Sequence, residues 1–275
     1  MSCKNCVNHQ RTLPQTYRIV SIKRETANVT TLTFPVSLGA KPGQFVMLWV
    51  PGVDEIPMSV ANDDGKELRV TFFAVGEATR ALAEKKEGEL IGLRGPFGTS
   101  YAWEKGQHLA LVAGGYGAAP MYFAAAEATR NGCTADVIVG ARGKEHLLYK
   151  EEFRKLTRTT LHLATDDGSE GHKGNTVEVL RELFEKGASF DGVFACGPEK
   201  MLVAVADVAA EKKVPCQLSM ERYMKCGYGL CGNCTVDPLG LRMCVEGPVV
   251  RGDVARTIME FGQYHRDDLG KKNPL

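Results

Sequence analysis

Between Tyr17 and about Arg94 the hydrophobic pattern is a series of short β-prone runs: YRIVSIK, VTTLTF, QFVMLWV, ELRVTFFAV and GELIGLRG. The punctuation between them, LGAKPG, VPGVDEIP and NDDG, is rich in Pro, Gly and Asp, and the pattern predicts an antiparallel barrel or sandwich. One helical stretch, EATRALAEKK, interrupts it. Past Trp103 the period changes, and compact apolar runs (HLALVA, ADVIVGA, TTLHLA, DGVFAC) alternate with helical segments (AAPMYFAAAEATR, YKEEFRKL, NTVEVLRELFEK, PEKMLVAVADVAAEKK). That alternation predicts βαβ units on a parallel sheet. Asn175 starts one of these helices, and Glu178 is spaced to complete a capping box with it. From Val214 the periodicity fades, and the polar end, HRDDLGKKNPL, is expected to be mobile.

The pattern divides the chain into a flexible head (1–16), a β-rich domain (17–103), an α/β domain (104–215), a small cysteine-bearing module (216–262) and a tail (263–275). The expected fold class is α/β plus an N-terminal antiparallel β-barrel. With 34 Lys plus Arg against 33 Asp plus Glu, the charge is too balanced for a nucleic-acid or polybasic membrane surface. No apolar run approaches the roughly 18 residues of a membrane-spanning helix, and the start, MSCKNCVNHQRTLPQ, lacks the apolar core of a signal peptide. A cytoplasmic protein with no membrane insertion and no nucleic-acid partner is expected.

Nine cysteines change this plain picture. An odd number in an unsignalled chain of this size argues for metal or redox chemistry over a disulfide framework. Four of them form Cys226-x4-Cys231-x2-Cys234-x9-Cys244, the plant-type [2Fe-2S] order with a shorter closing gap. Gly227, Gly229 and Gly232 suit a loop whose backbone approaches a cluster closely. A zinc site with four thiolates is the alternative, although zinc sites more often show two C-x2-C pairs. Cys133 and Cys216 read as small core residues, and Cys3-x2-Cys6 as half a metal site in an exposed head.

Gly114, Gly115 and Gly117 lie at a strand end directly before a helix starting near Ala118, where free amides can hold a pyrophosphate. The G-x-G-x-x-G fingerprint is incomplete, with Pro120 after the turn and Gly140-Ala141-Arg142 where an acidic residue should end the next strand. A true Rossmann dehydrogenase is thereby disfavoured, and Arg142 leaves NAD against NADP open. Cys196-Gly197-Pro198 ends a second strand, with Pro198 suited to the first helical position and Gly197 to close approach of a ligand. No Ser/His/Asp or paired-carboxylate arrangement is evident, and the six histidines are scattered and expected to be solvated.

A six-stranded barrel followed by an α/β domain with GGxGxxP and CGP resembles the ferredoxin-NADP⁺ reductase superfamily. The run MERYMKCGYGLCGNC, followed by EGPVV, narrows the resemblance to the electron-transfer subunits of dihydroorotate dehydrogenase, over about residues 17 to 265. The resemblance implies FAD on the segment Pro57, Met58, Ser59 and Val60, with Ile56 standing where the family usually has an arginine. It further implies flavin contacts at Thr71, Phe72 and Phe73, and a pyrophosphate cradle at Gly76, Ala78 and Thr79, while Gly95-Pro96-Phe97-Gly98 matches the turn that closes the barrel. The pyridine nucleotide would lie over Gly114, Gly115, Gly117 and Pro120, with Cys196, Gly197, Pro198 and Met201 near its nicotinamide end, and Cys226, Cys231, Cys234 and Cys244 would ligate a [2Fe-2S] cluster.

No catalytic side chain is implied beyond these cofactor contacts, since the hydride passes between NAD (NADP not excluded) and FAD. The implied partner is the FMN-containing catalytic subunit of dihydroorotate dehydrogenase, in a heterotetramer, docking on an exposed face around Tyr228, Leu230 and Asn233. Within the same superfamily, the small subunit of an NAD(P)H:ferredoxin, sulfur-reducing or hydrogenase complex is the alternative. A non-enzymatic redox sensor or zinc-stabilised binding protein is another.

Overall fold

The computed structural model describes residues 13–275, so the Cys3-x2-Cys6 pair lies outside the described residues. The first half holds β1 (Gln15–Arg18), β2 (Ser21–Arg24), β3 (Val29–Phe34), β4 (Phe45–Val50), β5 (Asp54–Asp63), β6 (Leu68–Phe73), α1 (Glu77–Ala83) and β7 (Leu90–Phe97). The strands pair antiparallel in the order β1-β7-β4-β5-β6-β3-β2. The two edges of this curled sheet are halves of one bent segment. Ile19 N–H donates to Glu89 O and Val20 N–H to Thr33 O, both at 2.9 Å, so consecutive residues bond to opposite edges. Period-2 alternation sends Leu32, Val46, Leu48, Val60 and Val70 inward, where Ala78 and Leu82 of α1 join them. Gly95, Pro96 and Phe97 continue β7 instead of forming a turn, and Phe97 pairs with Phe45 across the sheet.

The second half holds β8 (His108–Gly114), α2 (Ala118–Arg130), β9 (Thr134–Ala141), α3 (Lys150–Arg154), β10 (Thr159–Thr165), β11 (His172–Lys173), α4 (Thr176–Glu185), β12 (Gly192–Cys196), α5 (Glu199–Lys212) and β13 (Cys216–Ser219). Beyond these come β14 (Thr235–Val236), β15 (Leu241–Arg242), β16 (Val249–Arg251), α6 (Gly252–Ala255), β17 (Tyr264–Arg266) and β18 (Lys272–Pro274). The large sheet runs β11-β10-β9-β8-β12-β13-β16, parallel except for the final pairing. Leu109 to Ala113 of β8 are wholly buried, the continuous apolar run of a strand covered on both faces. Helix α2 packs on one face, and α4 and α5 on the other. Among the described residues no helix is long and apolar enough to cross a membrane.

Asn175 caps α4 as its spacing indicates, accepting from Val177 and Glu178 N–H at 2.9 and 3.1 Å while Glu178 Oε2 accepts from Asn175 N–H. Two expectations change. The parallel sheet does not stop at residue 215, because β13 and the much later β16 extend it, their apolar runs being too short to show a period. The tail is not a loose end: Tyr264, His265 and Arg266 pair with Pro274, Asn273 and Lys272 in a hairpin, and Lys225 Nζ donates to Asp268 O at 3.0 Å.

Nor are the histidines merely solvated. His108 of β8 and His162 of β10, on the two strands that flank β9, contact opposite oxygens of Asp136 at 2.7 and 2.6 Å. Burial pushes the Asp136 carboxyl up, but hydrogen bonds from His162 and His108 outweigh it and hold it below the usual carboxylate range. The stability it confers is present above the unfolded-state pKa of about 3.9 and is lost as pH falls through the lower folded value. Asp136→Asn is expected to cost about 1 kcal/mol at neutral pH, allowing for the partial exposure of the cluster, and to flatten the fall of Tm below about pH 4 in calorimetry.

Candidate functional site

A cleft of about 470 Å³ opens between the curled sheet and the parallel sheet. Pro57, Met58 and Ser59 of β5, Thr71, Phe72 and Phe73 of β6, and Thr79 of α1 line it from one side, and Pro120 and Cys196 face them from the other. Aromatic and aliphatic walls with a few polar groups suit a planar ring system. Val60 does not reach it, since the alternation that turns Ser59 to the cleft turns Val60 into the barrel core against Val70. Ala78 likewise packs in that core. Two expected contact groups have other partners: the Thr79 hydroxyl accepts from Val75 and Gly76 N–H at 3.0 and 2.8 Å, and the Thr71 hydroxyl meets Thr31 and Tyr149 at 2.8 and 2.7 Å. The first caps α1, and the second joins the two halves of the molecule.

The glycines of the turn after β8 serve close packing of two strand ends. A Cβ on Gly117 would lie 2.2 Å from Cys196 O, and one on Gly197 2.9 Å from Gly114 Cα. Pro198 and Met201 sit just behind Gly114, where an added Cβ would come within 2.7 and 2.8 Å of them. Gly115 differs, with φ +55° and open space around its missing side chain. Pro198 caps α5 from outside, one position earlier than expected, and the helix starts at Glu199.

Sequence reasoning missed the third wall, made by Ser219, Met220, Glu221, Arg222 and Met224, and missed Tyr116. An acid–base pair immediately after the apolar run QLSM is the signal that marks it. Tyr116 donates to Glu221 Oε2 at 3.0 Å. Burial pushes both groups up, and burial also pushes the Cys196 thiol up to about 12, so all three hold their protons more tightly than in water. Cys196 is therefore a thiol at neutral pH, and not a nucleophile.

Behind this wall Arg222, itself buried, reaches Glu199 Oε2 at 2.6 Å and Glu260 Oε2 at 3.2 Å and donates to Glu221 O at 2.6 Å. His265 Nε2 and Gly262 N–H complete Glu199, and Arg266 completes Glu260.

The residues after Met224 enter the cysteine loop. Gly227, Gly229 and Gly232 all have positive φ, which lets the loop fold tightly around its thiols. The β14–β15 hairpin closes the nine-residue gap and brings Cys234 beside Cys244. Cys226 and Cys231 form the other pair. Main-chain N–H groups of Gly229, Leu230 and Cys231 point at sulfur, the first at Cys244 Sγ (3.1 Å) and the others at Cys226 Sγ (3.3 and 3.4 Å). Hydrogen bonding from Cys244 lowers the Cys234 thiol to about 6; at Cys226 burial opposes ionisation, but main-chain donors prevail and lower it to about 7. Cys244 is pushed the other way by its neighbour Cys234 and by burial, so the proton the pair shares stays on Cys244. Thiols grouped two by two, with main-chain N–H groups directed at them, fit a two-iron cluster with two thiolates per iron. Among the described residues no three His, Cys, Asp or Glu side chains converge as a single metal ion requires.

Arg94 of β7 supports the loop from beneath, pairing with Glu55 at 2.5 Å and donating to Cys226 O at 2.6 Å. Of the expected docking residues, Tyr228 and Leu230 are exposed, Leu230 at 76%, whereas the Asn233 amide nitrogen is turned inward and buried.

Two measurements test this construction. Arg222→Ala leaves two buried carboxylates without their cation and is expected to destabilise by about 3–5 kcal/mol in chemical unfolding. Gly117→Ala forces Cβ onto main chain and is expected to cost about 1–3 kcal/mol or more, whereas Gly115→Ala carries only its backbone cost of about 1–2 kcal/mol.

Residues 221–254 match the family described as the iron-sulfur cluster binding domain of dihydroorotate dehydrogenase B, and residues 111–207 match the oxidoreductase NAD-binding domain. The chain is 46% identical over 259 residues to a Methanocaldococcus jannaschii protein named "Probable dihydroorotate dehydrogenase B (NAD(+)), electron transfer subunit", covering 94% of this chain and 98% of that one. It is 39% identical over 266 residues to the Methanothermobacter thermautotrophicus protein of the same name, covering 95% and 98%. Among solved structures, one described for flavin-based electron bifurcation by an NADH-dependent reduced ferredoxin-NADP oxidoreductase superposes with a TM-score of 0.79 at 32% identity, over 88% of this chain and 89% of that one. Identity of 46% and 39% over nearly the whole length of both proteins makes this chain a member of the family of dihydroorotate dehydrogenase B electron transfer subunits.

Proposed function

We propose that the chain carries electrons between NAD and the FMN-containing catalytic subunit of dihydroorotate dehydrogenase, in the cytoplasm and as part of a heterotetramer, in pyrimidine synthesis. In this reading the curled sheet is the FAD-binding barrel, the glycine turn and Cys196-Gly197-Pro198 receive the pyridine nucleotide, and Cys226, Cys231, Cys234 and Cys244 hold a [2Fe-2S] cluster. When bound, the nucleotide supplies two electrons as a hydride, the flavin exchanges pairs for single electrons, and the cluster moves one at a time.

The observation that carries this reading is that one segment is both cleft wall and loop entrance. Met224 lines the cleft, and Cys226 follows two residues later, a contour of about 7 Å at most. Phe45 reinforces the junction, lining the cleft while packing with Phe97, which lies under the cysteine loop beside Arg94. Phe72 and Phe73 supply apolar surface and Ser59 a hydroxyl for a ring placed between the sheets. Burial pushes the Glu221 carboxyl up and Tyr116 donates a hydrogen bond to it, which weakens the negative charge that the wall facing Cys196 turns to an incoming anion. Tyr228, Leu230 and Val245 leave apolar surface around the exposed Cys231, where a partner subunit can dock and exclude water.

The 32% identical solved structure favours a second reading, a small subunit exchanging electrons with ferredoxin and NADP. Arg142, exposed at the end of β9, is where a 2′-phosphate would be met. Anaerobic co-purification with the FMN catalytic subunit, iron, sulfide and flavin analysis, and dihydroorotate oxidation with NAD⁺ separate the two. Activity with NAD⁺ is expected, and activity only with NADP⁺ or ferredoxin would move the assignment. Cys234→Ser is expected to lower transfer to the partner by more than the roughly 10–100-fold typical of losing an outer-shell group at a metal site, while NADH oxidation by a dye reading the flavin persists.

A further inference from the structure

Among buried side-chain nitrogen and oxygen atoms of the described residues, one lacks a hydrogen-bond partner: Asn233 Nδ2. A buried amide donor without an acceptor costs about 1–3 kcal/mol, and such groups are rare enough to demand an explanation. Its position supplies one. Asn233 lies between Cys231 and Cys234, inside the loop in which three main-chain N–H groups already point at thiol sulfurs. An Asn side chain has few rotamers, and its neighbours here are a positive-φ glycine and a buried cysteine, so the amide is held inward by the loop.

We propose that the Asn233 amide is a tuning donor to the iron-sulfur cluster, giving an N–H to sulfur and so setting the potential at which this subunit accepts and releases electrons. The inference rests on the cluster assignment above and goes beyond it by giving one side chain a defined role. Reduction adds negative charge to the sulfur-rich centre, so an N–H directed at it favours the reduced form over the oxidised one. Removing the donor makes the cluster harder to reduce. Asn233 is a positioning residue in this role, since the electron itself passes through the metal site.

The test is a redox titration of the full holo-complex, followed by electron paramagnetic resonance of the reduced cluster, for the native protein, Asn233→Leu and Asn233→Asp. Leu keeps the shape without a donor; Asp keeps the shape and replaces the amide donor with a carboxylate. At the native midpoint the reduced-to-oxidised ratio is expected to fall about tenfold in the Leu variant, equivalent to about 59 mV for one electron, and further in the Asp variant. Of the deuterium couplings in native protein exchanged into heavy water, one is expected to vanish in both variants, while those of the main-chain N–H groups remain. Unchanged midpoints in variants with full iron and sulfide would overturn the proposal. So would loss of the cluster from both, which would make Asn233 a structural residue of the loop. Native protein without a [2Fe-2S] signal would instead defeat the cluster assignment, an outcome distinct from either.

Discussion

The structure turns on one buried cation. Arg222 meets Glu199 at the start of α5 and Glu260 beyond α6, and donates to the main chain of its neighbour Glu221. Charges removed from water carry a desolvation penalty of several kcal/mol each, repaid only when all partners are in place together. The network is therefore all or none. It locks the start of α5 after β12, the cleft wall from Ser219 to Met224, and the C-terminal hairpin through His265 and Arg266 into one arrangement. Without it the segment leading to Cys226 would have little to hold it, since it contains no regular secondary structure.

A second constraint is steric. The ends of β8 and β12 touch so closely at Gly114, Gly117 and Gly197 that side chains there would strike main chain or the Pro198–Met201 pair. Glycines that suggest a phosphate cradle thus also bring Cys196 to the cleft, and the two uses are compatible because main chain stripped of Cβ can approach both a neighbour and a ligand. On the opposite side Arg94 performs a comparable service for the cysteine loop. Its guanidinium binds Glu55 and Cys226 O and lies over the rings of Phe97 and Tyr228 at 5.5 and 5.6 Å, so barrel and loop share one anchor.

Much of this was legible from the chain itself. The β-prone run VTTLTF and the apolar run HLALVA announced the two sheets, and the spacing of Cys226, Cys231, Cys234 and Cys244 announced one loop that gathers four thiols. What escaped was built from long-range partners that leave no local period. The strands β13 and β16 are short, and their register is decided by each other. The tail read as loose because its charges look solvated, whereas Arg266 and His265 find carboxylates far away in sequence. Glu221 and Arg222 carry no motif that sets them apart in the sequence, and their partners Tyr116, Glu199 and Glu260 come from distant segments. Val60 and Ala78 were placed in the flavin segments by motif; the pleat and the helix face put them in the core.

The pairing of β13 with β16 also bears on how the molecule comes into being. As the chain leaves the ribosome, β13 emerges as the exposed edge of an otherwise complete parallel sheet, and its cover, Val249 to Arg251, is made only after the whole cysteine loop. The loop is thus enclosed between two strands that must find each other, and its closure completes the sheet. An interrupted or truncated chain would keep a bare edge of the kind that recruits other chains. Closure of the cysteine loop and protection against aggregation are consequently the same folding event.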